Sequence, residues 1–265
     1  MSDYRQALAA ATSVTDCRVL VTGGGSGIGR AICRCFAASG AWVMVTDLRA
    51  EAAEETRQLC LSDGAAAEHM AACSLDVCDA KQLSKAVEAT TEALGGLSVL
   101  VNNAGVFRPS PLDASNFDRV WREIFDVLLD AQKSLIRLAL PALRQANNAR
   151  ILNIASTEGL GATPNHAAYV AAKHAVIGLT RAMAVDLGFE GITVNAICPG
   201  PIHTGITEKF DAADKARFAH RRTALRRYGT PEEIAHAALS LAQPGASYVT
   251  GAQIVVDGGL TVRNA

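Results

Sequence analysis

The sequence predicts an α/β fold: a doubly wound parallel sheet of about seven strands with helices on both faces, in one domain over residues 1–265. Three observations carry this. Short apolar, β-branched runs recur without polar alternation, which fits strands buried between two helical layers. They alternate with longer Ala-rich stretches of helical apolar spacing, and that alternation implies parallel pairing with right-handed crossovers. No Gly/Ser/Pro linker, repeat or low-complexity block divides the chain, although its length would allow two small domains.

In order, residues 1–15 form an N-terminal extension without the basic-then-apolar pattern of a secretory signal. CRVLV (17–21) is the first strand, followed by the glycine-rich turn 22–29 and a helix over 27–39. AWVMV (41–45) precedes a helix at 50–62, and AACSLDV (71–77), a weaker strand candidate, precedes one at 79–94. LSVLV (97–101) leads to a long helix over 113–144, and RILNI (150–154) to a helix at 166–188. ITVNAI (192–197), a helix at 231–241 and QIVV (253–256) complete the alternation. Gly40, Gly64, Gly95 and Gly188 lie where helix C-caps fall. The Arg- and His-rich interval 203–228, after Pro199-Gly200-Pro201, breaks the rhythm and reads as a helical lid over the substrate.

Composition excludes several function classes. With 25 Lys+Arg against 26 Asp+Glu the net charge is -1, so no global attraction for nucleic acid is expected. No apolar run approaches the roughly 18 residues needed to span a bilayer, so no membrane role is expected. The seven cysteines are odd in number and show no Cys-x-x-Cys spacing, which argues for free thiols in a cytoplasmic protein and against a disulfide framework or zinc ribbon. No His/Asp/Glu spacing suggests a metal.

The chemistry begins at Thr22-Gly23-Gly24-Gly25-Ser26-Gly27-Ile28-Gly29, placed at the first strand-to-helix junction. Glycine lets the chain turn sharply and lets backbone N–H groups approach a pyrophosphate, while the helix N-terminus adds partial positive charge. The spacing that fits is Gly23, Gly27, Gly29, because position 30 is Arg. Asp47, at the end of the second strand and twenty residues after Gly27, is suited to accept hydrogen bonds from the adenosine ribose. A 2′-phosphate there would meet a carboxylate, and each charge pair at roughly 4 Å costs up to ~4 kcal/mol at an effective dielectric near 20. NAD is therefore expected over NADP, with Arg30 and Arg49 as the counter-argument, since either could swing towards a phosphate.

Ser156 precedes Tyr169 by thirteen residues, and Lys173 follows it by four, one helical turn on the same face. A phenol beside an ammonium is driven towards the phenolate, a state able to exchange protons with an alcohol or ketone. Alone, Tyr-x-x-x-Lys is common and mostly structural. Together with the glycine-rich turn, Asn102-Asn103-Ala104-Gly105, Ser156 and Pro199-Gly200, in this order and spacing, it resembles the short-chain dehydrogenase/reductase family from residue 17 to Gly259. The resemblance implies a single-domain Rossmann fold, a homotetramer or homodimer, and a small-molecule alcohol or ketone substrate.

It also implies residue roles. Tyr169 matches the general acid/base, Lys173 the residue that lowers its pKa and holds the nicotinamide ribose, and Ser156 the substrate hydrogen-bonding group. Gly23, Ser26, Gly27, Ile28, Gly29, Asp47, Asp76, Val77, Asn103, Ala104 and Gly105 match dinucleotide contacts, as do Pro199, Gly200, Ile202 and Thr204 on the nicotinamide side. Members preferring NADP often carry a basic residue where this chain has Ser26. One departure stands out: the family's helix Asn, which holds a water linking the Lys to solvent, is Leu128 here. Phe107, Thr157, Glu158, His166 and His203 are candidate substrate-mouth residues. The expected activity is NAD-dependent interconversion of a secondary alcohol and a ketone. A catalytically weak dinucleotide-binding sensor or partner subunit, suggested by Leu128, is the alternative.

Overall fold

The computed structural model describes residues 2–208 and 210–263. Seven strands form one parallel sheet in the order β3-β2-β1-β4-β5-β6-β7: β1 (Arg18–Val21), β2 (Trp42–Asp47), β3 (Met70–Ser74), β4 (Val99–Asn102), β5 (Arg150–Ile154), β6 (Thr193–Pro199) and β7 (Gln253–Val256). Strand order reverses between β1 and β4, and this switch point opens a crevice at the strands' carboxyl ends where ligands of open α/β sheets bind.

The strands are apolar on both sides because each one feeds two cores. Val19 and Val21 of β1 face the same cluster as Val43, Val45, Val99 and Val101. Leu20, Met44, Leu100 and Ile151 point to the opposite cluster. The first cluster is closed by α2 (Gly27–Ala38) and α9 (Pro231–Ala242), through residues such as Ile32, Phe36, Ile234 and Ala238. The second is closed by α4 (Ala80–Leu94), α6 (Ala131–Leu143) and α7 (Ala167–Leu187). In-register parallel pairing, for example Val19 with Val43 and with Val99, keeps this two-sided sorting continuous across the sheet.

The remaining helices are α1 (Ser2–Thr12) within the N-terminal extension, α3 (Ala50–Ser62), α5 (Phe117–Phe125) and α8 (Ala212–Arg222). The interval read as a lid contains α8 and a short 3₁₀ turn, Gly205–Thr207.

Two local readings need correction. The helix expected over 113–144 starts at Phe117 and is interrupted by a π-turn at Asp126–Asp130, where the Ala131 N–H reaches back five residues to the Asp126 carbonyl. Gly188 is not a left-handed cap: the chain continues into a 3₁₀ turn, Gly188–Glu190, and Gly191 takes the left-handed conformation at φ 77°. At this helix end φ turns positive at Gly191, three residues later than the end of helical periodicity suggests.

Candidate active site

The crevice above the switch point is a cleft of about 570 Å³, within the range of small-molecule and cofactor sites. Its floor is the glycine-rich turn. Gly23 has φ +64°, and a Cβ on Gly29 would lie 2.1 Å from the Gly23 carbonyl oxygen, so only glycine permits the turn to close on the start of α2. Thr22 and Asn103 then lock this turn to the one after β4. The Thr22 hydroxyl accepts from the Asn103 and Ala104 N–H groups, both at 3.0 Å, and Asn103 Nδ2 donates to the Thr22 carbonyl at 2.8 Å. At the far end Asp47 is held by two backbone donors, with Gly25 N–H on Oδ2 at 3.0 Å and Arg49 N–H on Oδ1 at 3.1 Å. Each carboxylate oxygen keeps acceptor capacity for a ribose hydroxyl.

The other half of the cleft is carried by β5 and α7, and a buried polar chain aligns them. Asn102 Nδ2 donates to Asn153 Oδ1 at 2.8 Å, Asn153 Nδ2 donates to the Thr180 hydroxyl at 2.9 Å, and Thr180 donates to the Val176 carbonyl at 2.8 Å. Satisfied networks of this kind specify one arrangement of the elements they join. Lys173 adds a tie from α7 to the end of β5, its Nζ donating to the Ile154 carbonyl at 2.7 Å. The same Nζ lies 5.6 Å from the centre of the Tyr169 ring, and the Ser156 hydroxyl, which accepts from the Glu158 N–H at 3.1 Å, acts on the phenol to lower its pKa.

Electrostatics here oppose the simple expectation of a phenol acidified by its neighbour. Burial pushes the Tyr169 phenol up to about 12, opposed by the Ser156 hydrogen bond and assisted by the Glu158 charge. Burial also brings Lys173 down from 10.5 to about 8, with the Cys198 thiol acting the other way. Desolvation dominates both groups, and the carbonyl that accepts from Lys173 is neutral, so no carboxylate holds the ammonium in its charged form.

A pH signature follows for Lys173. Its folded-state value lies below the unfolded one, so the folded chain carries a buried charge at a cost below pH 8, and between about 8 and 10.5 the unfolded chain binds the extra proton. Stability owed to this group therefore rises with pH across that window. The difference in Tm between Lys173→Met and wild type is expected to favour the variant most below pH 8 and to shrink towards pH 10.5 in a calorimetric series. Parallel curves would contradict it.

Of the residues expected to contact a dinucleotide, all but Gly29 line the cleft, together with Ser156. Gly29 sits beneath the turn as a packing position. The five expected substrate-mouth residues lie outside the cleft wall. Phe107 stands edge-on to Tyr169 at 5.1 Å and to His166 at 4.7 Å, Glu158 accepts from Thr163 at 2.6 Å, and His203 packs on Tyr228 at 5.2 Å between ring centres. Apolar residues absent from the sequence reading, among them Leu48, Leu75, Val106 and Val127, also line the cleft. They look like ordinary core positions in the sequence, so periodicity does not mark them. Among the described residues no group of three or more His, Cys, Asp or Glu is placed to hold a metal, and no helix is long and apolar enough to cross a membrane.

Leu128 lies on the π-turn, fully buried against Val120, Ile124, Ala168 and Ala172, and a Cβ on Gly105 would lie 3.2 Å from its Cδ2. The widened turn frees backbone groups from the regular helical pattern at the position where the family carries its Asn. Leu128→Asn would bury an amide in an apolar contact at about 1–3 kcal/mol, so Tm is expected to fall by at least ~3 °C. A modest gain in kcat with reduced dependence on small buffers is expected if proton exchange limits the wild type. Steady-state kinetics with and without imidazole checks this, and a wild type insensitive to buffer together with a variant showing no gain would show that proton exchange is not limiting.

A glycine-rich turn at a switch point, an acidic residue closing the second strand, and Ser156, Tyr169 and Lys173 line one cleft of a parallel α/β sheet. The chain belongs to the short-chain dehydrogenase/reductase family: the family model described as enoyl-(acyl carrier protein) reductase matches residues 23–261. Meso-2,3-butanediol dehydrogenase of Serratia marcescens is 38% identical over 246 residues, covering 93% of this chain and 95% of that protein. Galactitol 2-dehydrogenase (L-tagatose-forming) of Cereibacter sphaeroides is 40% identical over 245 residues, with 91% and 94% covered. Cyclohexanol dehydrogenase of an Acinetobacter species is 35% identical over 244 residues, with 92% and 94% covered.

Proposed function

We propose that this protein is an NAD-dependent dehydrogenase that interconverts a secondary alcohol and a ketone. The observation that carries the reading is the convergence of Ser156, Tyr169 and Lys173 on the cleft that Asp47 closes at its other end. The names of these three relatives, each an alcohol or polyol dehydrogenase, support the substrate class.

The residues present fit a dinucleotide: backbone N–H groups and a helix N-terminus face the pyrophosphate position, Asp47 the adenosine ribose, and Lys173 the nicotinamide end. When bound, the cofactor would supply the hydride-accepting carbon and the positive charge of its nicotinamide ring. In the oxidising direction Ser156 orients the substrate oxygen and Tyr169, as phenolate, takes the hydroxyl proton, while hydride leaves the carbinol carbon and a ketone remains. Protein groups alone hold the phenol near 12, so its activation is a property of the assembled complex. Lys173, whose Nζ donates to the Ile154 carbonyl at 2.7 Å and lies 5.6 Å from the centre of the Tyr169 ring, would hold the nicotinamide ribose.

NAD is favoured by the fixed Asp47 carboxylate and by Ser26, which offers no charge to a 2′-phosphate. The lid reading of 203–228 is supported by its position, since Thr204, Gly205 and Thr207 line the cleft. Exposed Leu138, Val185 and Phe189 on one side, and Tyr248 and Val255 near the edge strand, support a homotetramer or homodimer. Seven free thiols support a cytoplasmic setting. No observation favours a catalytically weak sensor, because Leu128 leaves Ser156, Tyr169 and Lys173 in place. A screen of cyclic, vicinal-diol and polyol alcohols with NAD, followed by NADH formation, tests the proposal, and absence of turnover with every class would contradict it.

A further inference from the structure

Arg30 follows the glycine-rich turn directly, where a cation would threaten any preference against a phosphorylated ribose. Its guanidinium makes four hydrogen bonds, with every nitrogen engaged. Nε donates to Thr56 Oγ1 at 3.0 Å, Nη1 to Glu55 Oε1 at 3.1 Å, and Nη2 to both Glu55 Oε2 at 2.8 Å and the Gly25 carbonyl at 2.5 Å. Four contacts on a rigid fork with five N–H donors leave little freedom to swing. Gly25 is also the residue whose N–H holds Asp47 Oδ2 at 3.0 Å. One glycine thus grips the carboxylate through its nitrogen and the guanidinium through its oxygen. The cation is parked next to the adenosine-ribose acceptor but turned to α3.

We infer that Glu55 determines cofactor specificity: its bidentate pair with Arg30 withholds a cation that would otherwise meet a ribose 2′-phosphate. The inference rests on the NAD reading above and extends it from Asp47 to a positioning residue that touches no cofactor atom. Glu55 acts twice. It fixes the fork away from the ribose, and its charge leaves the trio Asp47, Glu55 and Arg30 at a net −1, where removal of Glu55 would leave it neutral. A 2′-phosphate carries about −1.5 to −2 at neutral pH, so the sign of that local charge matters. Arg49, whose N–H serves Asp47 Oδ1 and whose side chain is exposed, contributes equally with or without Glu55 and cancels in the comparison.

The test is a calorimetric titration of wild type, Glu55→Gln, Arg30→Met and the Arg30→Met/Glu55→Gln double variant with NADH and NADPH, read as the ratio of Kd for NADPH to Kd for NADH. Glu55 has a side chain 60% exposed, so its replacement does not threaten the fold. Glu55→Gln is expected to lower the ratio about three- to fivefold, the scale of one partly exposed charge pair. The double variant is expected to differ from Arg30→Met by clearly less than Glu55→Gln differs from wild type, because only the charge of Glu55 then acts, and Glu55→Asp is expected to restore most of the wild-type ratio. A ratio unmoved by Glu55→Gln, or moved equally with and without Arg30, overturns the inference. The wild-type ratio reports separately on the NAD reading, because the Arg30-dependence of the Glu55→Gln shift is read whichever cofactor the wild type prefers.

Discussion

Tyr169→Phe is expected to lower kcat by about 10²–10⁴-fold, the contribution of a positioned general acid/base, while NADH affinity stays close to wild type. The change removes one hydroxyl from a ring that remains wedged between Phe107 and the Lys173 side of α7, so the cleft keeps its shape. Steady-state kinetics paired with cofactor titration separates the two effects. Retention of more than about a tenth of wild-type kcat would mean that the proton passes through another group. Lys173→Ala is a different lesion, because the Lys ties α7 to the Ile154 carbonyl and is proposed to hold the nicotinamide ribose, and it is expected to weaken rate and cofactor binding together.

Asp47→Ser is expected to shift the affinity ratio towards NADPH by at least tenfold, about 1.4 kcal/mol. The Coulomb repulsion between a carboxylate and a phosphate is larger at close range, but solvent at this half-buried position screens part of it. Serine keeps one acceptor for the Gly25 and Arg49 N–H groups, so the loop is not left with unsatisfied donors. The measurement is titration of both cofactors against both proteins at fixed ionic strength. An unchanged ratio would move the origin of cofactor preference elsewhere in the cleft.

Much of the fold was legible in the sequence because a parallel sheet covered on both faces makes its inner strands largely apolar, as Val19–Val21 and Val99–Val101 are, and RILNI and QIVV fall at the limits read for them. The glycine-rich turn was legible for a similar reason: Gly29 meets a backbone carbonyl so closely that no other residue fits. The π-turn was not legible, since Asp-Val-Leu-Leu-Asp carries ordinary helix formers and the extra residue is accommodated by packing against α7. The ionisation of Tyr169 also ran against local reasoning, because the four-residue spacing places Lys173 on the right face but says nothing of the burial that raises the phenol and lowers the ammonium. Arg30 is the sharpest case. Its reach towards a phosphate is plain from the sequence, whereas its capture by Glu55, twenty-five residues later on another helix, exists only in the folded packing of α2 on α3.

The most direct test of the proposed reaction is isotope transfer. The protein is incubated with NAD and a secondary alcohol carrying deuterium on its carbinol carbon, and the nicotinamide of the NADH formed is examined by NMR. Deuterium at C4 of the ring, on one face and with equimolar ketone, is the predicted result, lost in Tyr169→Phe in proportion to kcat. NADH formed without the label, or no transfer from any secondary alcohol by a protein that binds NAD, would contradict the account.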